Sequence, residues 1–558
     1  MGNEGLLGSP LLHNIEGANC TLERATVRRD FLKMAVGAGI SGLSLSASPL
    51  SAQSGLDDAT WRHTRGKETF NIRGFGATGD GQTLDSPAIN RCIDAASAVG
   101  GGTVYFPAGT YLCYSIRLKS NIALYLDQGA TILAANPSTN SNGAGYDIAG
   151  PSTDWDAYQD YGHNHWHNSL IWGEGIHDLS ILGPGLIWGK GLVRGDGNTE
   201  LGPGIGNKAI ALKNCYNVLL RDFSILKGGH FGVLATGVDN VTIDNLKIDT
   251  DRDGMDIDCC KNVRISNCTV NSPWDDGICP KSSFALGYAR ATENVTITNC
   301  YVTAKYQLGT LLDGTFKTWD PGVKTSRTGR IKFGTESNGG FRNITISNCV
   351  FEGCYGLALE TVDGALLEDV TITNITMREC TSSPLFLRLG ARMRGPAGTS
   401  IGALRRIYIN NVVSHGSSSL LPGIISGIPG SLIEDVRLSD IYFEQIGGAK
   451  EELAQLTPPE NEKKYPDPFM FGPLPAYGLF LRHAKNVEMS NVEFALARPD
   501  ARAAIYASDI QGLDIFRLKT PPATGPANFV LKNLLDFRLF GCRSTKDVIF
   551  DKLESRTF

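Results

Sequence analysis

The sequence lacks the features that mark several common functional classes. Beyond the N-terminal segment there is no run of Lys and Arg, and 52 basic residues face 57 acidic ones, which gives a formal net charge of -5. A nucleic-acid partner or an anionic membrane surface is therefore not expected. No CxxC pair occurs, so a zinc site is not indicated, and no later apolar run is long enough to span a bilayer.

Glycine, in contrast, is abundant, with 65 residues, and Asn, Asp and Ser are frequent as well. A chain that turns this often favours many short strands over long helices. Thirteen Cys would permit disulfides in an oxidising compartment, but an odd number leaves at least one of them unpaired. The composition therefore predicts an all-β protein and leaves its disulfide pairing open.

Residues 1–52 predict an export address. Arg28 and Arg29 are followed by Phe31 and Leu32 and then by a mildly apolar run that ends in PLSAQS, with Ala52 at the expected cleavage point. The segment resembles a bacterial twin-arginine export signal, and the alternative is a short amphipathic helix. The resemblance implies a periplasmic or secreted protein.

A nine-residue phrase recurs through the middle and the C-terminal half of the chain. In each copy apolar residues alternate on both sides of an Asn or Asp, which predicts a strand, a polar corner and a second strand. The copies start 22 to 51 residues apart, so the basic coil is a little over twenty residues, with insertions at some turns. Such a repeat predicts a solenoid of stacked parallel strands, whose corner Asn side chains bond from coil to coil. The copies begin at Val218, Val241, Val263, Val295, Ile344, Val370, Ile407, Val436 and Val487.

Residues 53–115 have a different organisation, which predicts an N-terminal cap and the first coil. Apolar residues at helical spacing precede GGG and a strand, and a short helix here would cover the open end of the solenoid. These residues are Ala88, Ile89, Cys92, Ile93, Ala96 and Val99. Residues 116–558 are then expected to form one right-handed parallel β-helix with loop insertions. Cys268, Cys300 and Cys349 fall at equivalent repeat positions, which predicts a buried column.

Adjacent carboxylates repel each other, yet SPWDDGICPKSS carries Asp275 and Asp276 side by side. Coils of a β-helix lie about 4.8 Å apart, so residues one coil apart in sequence become neighbours. Asp253 precedes Asp275 by 22 residues, which is one coil, and Asp251 or Asp256 could join the cluster. Clustered carboxylates suit hydrolysis of a glycosidic bond, in which one acts as acid and another as base. A calcium site or a solvated turn is the alternative.

These residues carry a resemblance to a known family. GATGDGQT, the helix and GGGTVYFPAGTY look like the start of the β-helix of pectin-degrading enzymes. Asp253-Gly254-Met255-Asp256 and WDDGICPKSS resemble the Asn-Thr-Asp and Asp-Asp motifs of glycoside hydrolase family 28, the polygalacturonases. The resemblance implies that Asp275 is the general acid, while Asp253 and Asp276 activate water for an inverting displacement, with carboxyl groups about 6.5–9.5 Å apart.

The sequence departs from the family pattern in two neighbouring coils. The His of the family's Gly-His-Gly motif falls on Gly329. Arg330 and Lys332 match the family's Arg-Ile-Lys motif in letters but lie one coil too early, where they could still face the cleft and bind substrate. One coil later, where the family's Arg and Lys belong, the chain has Ala358 and Glu360. A divergent member of the family is therefore expected, and the sugar is left open.

Further residues are predicted to bind substrate around the aspartates. Basic side chains suit a uronate carboxylate, while His and acidic side chains suit hydroxyls and Trp suits stacking on a sugar ring. The candidates are Lys281, Arg330, Lys332, Arg388, Arg392, Glu336, Glu360, His230, His165 and Trp274. Arg394 suits the surface equally well. His163, His165 and His167 alternate and could bind a metal, but no carboxylate or Cys stands at an evident spacing, so a place along the cleft is preferred.

The resemblance and the three aspartates together predict a glycosidase. It is expected to cleave a pectic, galacturonate-containing polysaccharide or oligosaccharide as a monomer, without cofactor or metal. Three alternatives remain open: a polysaccharide lyase on the same fold, a hydrolase of rhamnose- or galactose-containing side chains, and a non-catalytic carbohydrate-binding β-helix. The claim depends on the aspartates, since a fold by itself hosts many functions.

Overall fold

Parallel pairing between strands one coil apart organises the computed structural model of this chain. It describes residues 69–137, 145–195, 201–521 and 527–558. The export segment predicted at 1–52 lies outside these residues. None of the helices in the described part is both long and apolar enough to cross a membrane.

The first part of the fold consists of short strands, most of which are separated by brief turns. Two α-helices, Ser86–Ala98 (α1) and Glu451–Ala454 (α2), accompany the strands, and short 3-10 turns lie at Ile72–Phe75, Asp156–Tyr158, Tyr161–Asn164 and Pro468–Phe471. The shorter strands are Thr69–Asn71 (β1), Asp80–Leu84 (β2), Gly102–Phe106 (β3), Gly109–Cys113 (β4), Ile116–Arg117 (β5), Ile122–Leu126 (β6), Ala130–Ala134 (β7), Ser169–Glu174 (β8), His177–Leu182 (β9), Leu186–Trp188 (β10), Lys208–Lys213 (β11), Tyr216–Arg221 (β12), Ser224–Leu226 (β13), Phe231–Thr236 (β14), Asp239–Asp244 (β15), Lys247–Asp249 (β16), Asp253–Asp258 (β17), Lys261–Ser266 (β18), Thr269–Asn271 (β19), Ile278–Lys281 (β20), Thr292–Thr298 (β21), Tyr301–Thr303 (β22) and Lys332–Phe333 (β23).

Longer strands, which run around a corner without a break, alternate with short ones in the C-terminal part. They are Phe341–Glu352 (β24), Leu357–Thr361 (β25), Leu366–Arg378 (β26), Leu385–Leu389 (β27), Ala403–His415 (β28), Gly423–Ser426 (β29), Ile433–Gln445 (β30), Ala476–Leu496 (β31), Ala503–Phe516 (β32), Phe529–Phe540 (β33) and Val548–Thr557 (β34).

Three faces wind around one apolar core. The first face stacks β5, β8, β11, β14, β17 and β20 and continues through β23, β25, β27 and β29. The second face stacks β9, β12, β15, β18 and β21, followed by the first halves of the longer strands, and the third stacks β10, β13, β16, β19 and β22. This confirms the predicted fold, a right-handed parallel β-helix.

The register of the second face confirms the repeat read from the sequence. Val218 pairs with Val241, which pairs with Val263, and the series continues through every later phrase to Val487. Side chains at these positions are buried in the core. The apolar spacing thus set the register, because a slip of one residue would turn the apolar side chains outward.

Asparagine ladders hold two of the three corners. At the corner before the second face, Asn240, Asn262, Asn294 and Asn343 each donate a side-chain hydrogen bond to the Asn one coil earlier, at 2.6–3.0 Å. A second ladder follows the second face, as the repeat predicts, and includes the bond from Asn374 to Asn348. These Asn have φ between +51° and +58°, a left-handed conformation that Asn tolerates better than most residues.

The cysteines of the described residues form no disulfide, and all of them except the partly exposed Cys542 are buried. Thr269 pairs with Tyr301, and Tyr301 pairs with Val350, so the preceding Cys268, Cys300 and Cys349 stack on one another inside the core. The predicted column is confirmed. Its cysteines pack as small apolar residues and do not cross-link the coils.

Both ends of the solenoid are closed. The predicted cap is α1, whose Ala88, Ile89, Cys92, Ile93 and Ala96 join the main core, while Val99 is exposed. At the C-terminus β34 pairs antiparallel with β33 and exposes a charged face, which blocks further strand pairing.

Insertions leave mainly from the corner between the third and the first face. The longest connections there are residues 135–168, 189–207, 304–331 and 446–475, each between a third-face strand and the next first-face strand. They therefore border the first face.

Candidate active site

Three aspartates meet on the first face. Asp253 begins β17, and Asp275 and Asp276 lie in the turn before β20. The backbone N–H of Gly254 donates to the carbonyl of Asp276 at 3.0 Å, so the two turns stack directly. One carboxylate oxygen of each aspartate lies within 4.8 Å of the others. The spacing of one coil does bring the three carboxylates together.

The closest oxygens of these carboxylates are no more than 4.8 Å apart. Cations lie against two of the three carboxylates and offset their repulsion. A water molecule that donates to two oxygens at about 2.8 Å each spans about 4.5 Å, so this gap fits one bridging water.

Asp276 is held ionised by two cations. Arg330 Nε donates to Asp276 Oδ1 and Lys332 Nζ to Oδ2, both at 2.9 Å, and all three side chains are buried. Burial by itself would raise the pKa of this carboxyl, but the charges of Lys332 and Arg330 hold it well below its ordinary value. Asp276 therefore stays ionised near neutral pH and is suited to orient a water molecule by accepting a hydrogen bond from it.

The pKa of Asp253 is shifted in the opposite direction. Burial, together with the charges of Asp256 and Asp275, raises its pKa well above the ordinary range for a carboxyl. Burial likewise raises the pKa of Asp256, one turn along the same strand. Carboxylates this close do not all ionise, so the cluster retains a proton near neutral pH. Opposed pKa shifts in neighbouring carboxyls are the usual arrangement for an acid and a base.

Asp275 is the member of the triad that reaches the open cleft. Its side chain is 29% exposed, and Arg252 Nε donates to its Oδ2 at 3.0 Å. The same guanidinium contacts the ring of His230 and lies 3.7 Å from Asp160. His230 thus acts on the triad through Arg252. Sequence reasoning missed Arg252, although it directly precedes Asp253.

Comparison with known proteins finds relatives among pectin-degrading β-helix proteins. Residues 69–165 match the family model "Rhamnogalacturonase A/epimerase, pectate lyase-like", and residues 208–383 match "Right handed beta helix region". A probable polygalacturonase of Vitis vinifera is 23% identical over 325 residues, which are 54% of this chain and 60% of that protein. An exo-poly-alpha-D-galacturonosidase of Dickeya chrysanthemi is 28% identical over 38% of this chain and 33% of its own length. At low identity, the chain is thus similar to polygalacturonases and to right-handed β-helix proteins of pectin degradation.

Solved structures show the same fold. The family 28 exopolygalacturonase of Yersinia enterocolitica superposes with a TM-score of 0.59 at 18% identity, covering 80% of this chain and 78% of that one. The exopolygalacturonase of Thermotoga maritima gives a TM-score of 0.54 at 18% identity, covering 77% and 92%. The match to the grape protein spans about 60% of that relative's length, so activity and substrate are proposals below.

The strand register places the residues at which the chain departs from the family pattern. Ile278 pairs with Ile331 and Lys332 pairs with Ala358. The coil after the Asp-Asp turn therefore carries Arg330 and Lys332, and the next coil carries Ala358 and Glu360, as the sequence indicated. Although they lie in the earlier coil, Arg330 and Lys332 both reach Asp276.

A second charged network lines the cleft beside the triad. Lys281 Nζ donates to Glu336 at 3.1 Å and lies 3.7 Å from Asp256. Arg392 and Arg394 each lie 3.6 Å from Glu336. Arg392 also pairs with Asp363 at 2.5 Å, and Arg394 with Asp160 at 3.1 Å. Every predicted cation of this group is already paired with a protein carboxylate.

Arg388 lies outside the cleft. It is 1% exposed, and its guanidinium donates to the carbonyls of Ser426, Gly427, Glu460 and Asn461. Its ring neighbour is Phe471. The residue ties the insertion 446–475 to the first face and keeps no evident donor for a substrate.

The three alternating histidines separate. His163 Nε2 lies 3.5 Å from Asp256 in the cleft wall, His165 stacks on Tyr161 inside the loop, and His167 contacts Glu174 at the surface. They sit in a 3-10 turn and a loop rather than on a strand, so they do not share a side. His165 is fully buried and away from the triad, whereas His163 is the histidine that approaches it.

A wall closes the cleft on its N-terminal side. The segment Asp156–Trp166 crosses the first face, where Trp166 packs with Phe231 and Leu234 of β14. Trp166 Nε1 donates to Thr236 Oγ1 at 3.2 Å, which fixes the segment on the strand. The part of the face over β14, one strand before Asp253, is therefore covered.

Aromatic side chains border the open part. Trp274 is half-buried, edge-on to Trp319 at 4.9 Å, with Arg194 over its ring. Tyr465 is 55% exposed, and its hydroxyl accepts from Lys332 Nζ at 3.2 Å. It comes from the insertion 446–475, which no sequence signal linked to the site. Both rings could contact a sugar.

Proposed function

We propose that the protein is a glycoside hydrolase that cleaves a galacturonate-containing pectic polysaccharide or oligosaccharide. The observation that carries the proposal is the triad: three carboxyls with oxygens within 4.8 Å of one another, one with a raised pKa, one with a lowered pKa and one partly exposed to solvent. Similarity to polygalacturonases supports the substrate class.

The chemistry follows from exposure and charge. Asp275, which faces the cleft, donates the proton to the leaving oxygen and draws on the proton that the cluster retains. A water bridged between Asp253 and Asp276 is oriented by the ionised Asp276 and attacks the anomeric carbon, and its proton passes to the Asp253 carboxylate that is left when the cluster gives up its own proton. The result is one displacement with inversion. A lyase is disfavoured because Arg330 and Lys332, the bases it would need, are paired with Asp276.

The test follows reducing ends and near-ultraviolet absorbance together on pectic oligosaccharides. Wild type should release reducing ends without absorbance, and Asp275→Asn should lose at least about a hundredfold in kcat. An aryl glycoside with a good leaving group should restore much of the Asp275→Asn activity but none of the Asp276→Asn activity, since only the first lacks an acid. Arg437→Gln, on the outer surface, serves as the control.

Nuclear magnetic resonance of the first product identifies its anomer and so tests inversion. Absorbance at the expected wavelength of an unsaturated product would establish a lyase. Binding without turnover, unchanged in Asp275→Asn, would establish a binding protein instead.

A further inference from the structure

A buried carboxylate on the first face has no part in the mechanism above. Glu360 is fully buried, and neither of its carboxylate oxygens has a hydrogen-bond partner among the described residues. Its nearest cation is Arg330, with Nη2 3.6 Å from Oε1. A buried carboxylate without hydrogen bonds is costly, which points to a use other than stability.

The backbone makes room for Glu360 at this place. Lys332 pairs with Ala358, so Glu360 stands opposite Gly334. A Cβ on Gly334 would lie 3.0 Å from the Cβ and the carbonyl oxygen of Glu360 and 3.5 Å from Oε2. Gly334 also has φ of +107°, which L side chains rarely adopt, so glycine is favoured at this position and leaves space for the Glu360 side chain.

The cations around Glu360 are already balanced by protein carboxylates, so no unpaired positive charge remains to bind a substrate carboxylate. The charged groups that face it are Arg330, Lys332, Asp276 and Asp467, whereas Arg388 on the next strand donates to carbonyls elsewhere. Two cations thus face the buried Asp276 and Glu360 directly. A uronate carboxylate placed here would be a further anion against the same two cations, and like charges in a desolvated site repel strongly.

We infer that Glu360 is a specificity-determining residue that makes the Arg330–Lys332 side of the cleft a subsite for a neutral sugar and excludes a uronate from it. The inference rests on the proposed hydrolase function and narrows its substrate to pectic chains in which a neutral sugar adjoins the cleaved bond. Burial raises the pKa of Glu360 to about 7, against the effect of Lys332 and Arg330, so its charge varies with pH.

The first test compares wild type with Glu360→Gln on two probes. Tetragalacturonate carries a uronate on each side of every bond, and an oligosaccharide of alternating rhamnose and galacturonate does not. Glu360→Gln keeps the shape and removes the charge, so the kcat/KM ratio should shift toward tetragalacturonate by about tenfold or more, mainly through KM. Glu368→Gln, a matched control paired with Arg405 on the second face, should leave the ratio unchanged.

A second readout uses pH. In wild type, KM for tetragalacturonate should fall as the pH drops below about 7 and Glu360 takes up a proton, while Glu360→Gln should lack this change. An unchanged substrate ratio in Glu360→Gln, or an equal loss on both probes, would overturn the inference and leave the hydrolase intact.

Failure of the proposed function would look different. If wild type cleaves neither probe, calorimetric titration of tetragalacturonate into Asp275→Asn and into Asp275→Asn/Glu360→Gln still tests the subsite. Tighter binding to the double variant would support the inference, and equal or absent binding would overturn it.

Discussion

Asp275 and Asp276 are adjacent in sequence, yet their removal should affect stability very differently. Asp276 is 2% exposed and lies 2.9 Å from Arg330 and from Lys332, which are 3% and 2% exposed. Asp276→Asn leaves two buried cations without their directly bonded carboxylate. Breaking a buried pair in this way costs about 3–5 kcal/mol.

Asp275→Asn should cost much less. Its side chain is 29% exposed and has one guanidinium partner, Arg252, which is itself in contact with Asp160. Pairs open to solvent contribute about 0–1 kcal/mol. Both variants should lose activity, but Asp276→Asn should lose several times more stability than Asp275→Asn. Lys332→Met should restore part of that loss by removing one uncompensated cation.

The stability difference between wild type and Asp276→Asn should also depend on pH. The pKa of Asp276 is held below its unfolded value of about 3.9, so its contribution to stability is fully present above that pH and is lost as the pH falls from there through the lower pKa of the folded state. The gap between wild type and Asp276→Asn, measured by guanidinium unfolding, should therefore be widest near pH 7 and narrow below about pH 4. Equal destabilisation by the two variants, or a gap independent of pH, would refute the reasoning.

Two further predictions concern the N-terminal side of the cleft. Lys208 is fully buried and donates to the side-chain oxygens of Asn168 and Asn207, and burial lowers its pKa to about 7. Wild-type stability should therefore rise between about pH 7 and pH 10, where the unfolded Lys still holds its proton. The free energy of unfolding of Lys208→Met should lack this rise, whereas that of Lys213→Met, a partly exposed lysine of the same strand, should keep it. Because Asp156–Trp166 covers the face over β14, early chromatograms of digested long chains should contain one small terminal product, and a spread of oligosaccharides would contradict this.

The repeat made it possible to predict which residues of the first face become neighbours in the site. Coil spacing fixes which residues become neighbours, so the distance from Asp253 to Asp275 along the chain translated directly into contact. The same register placed Arg330 and Lys332 one coil before the family position. The length of the repeat and the pattern of apolar positions can be read from the sequence. This is why the fold and the contact among the three aspartates could be predicted.

The walls of the site were less accessible to sequence reasoning. Insertions have no repeat to align them, so nothing tied Tyr465 to Lys332, 133 residues away, or Trp166 to Thr236. Arg388 had the right chemistry for a uronate, but its partners are carbonyls of the insertion 446–475, which a side-chain pattern does not reveal.

The two asparagine ladders have a consequence for how such proteins diversify. Each ladder bonds coil to coil, so a residue inserted at either corner would break contacts above and below it. The remaining corner carries the long connections and borders the cleft. Loops exchanged at this corner therefore leave the hydrogen bonds between coils intact. We expect such proteins to change their sugar specificity through these loops while the β-helix keeps its stability.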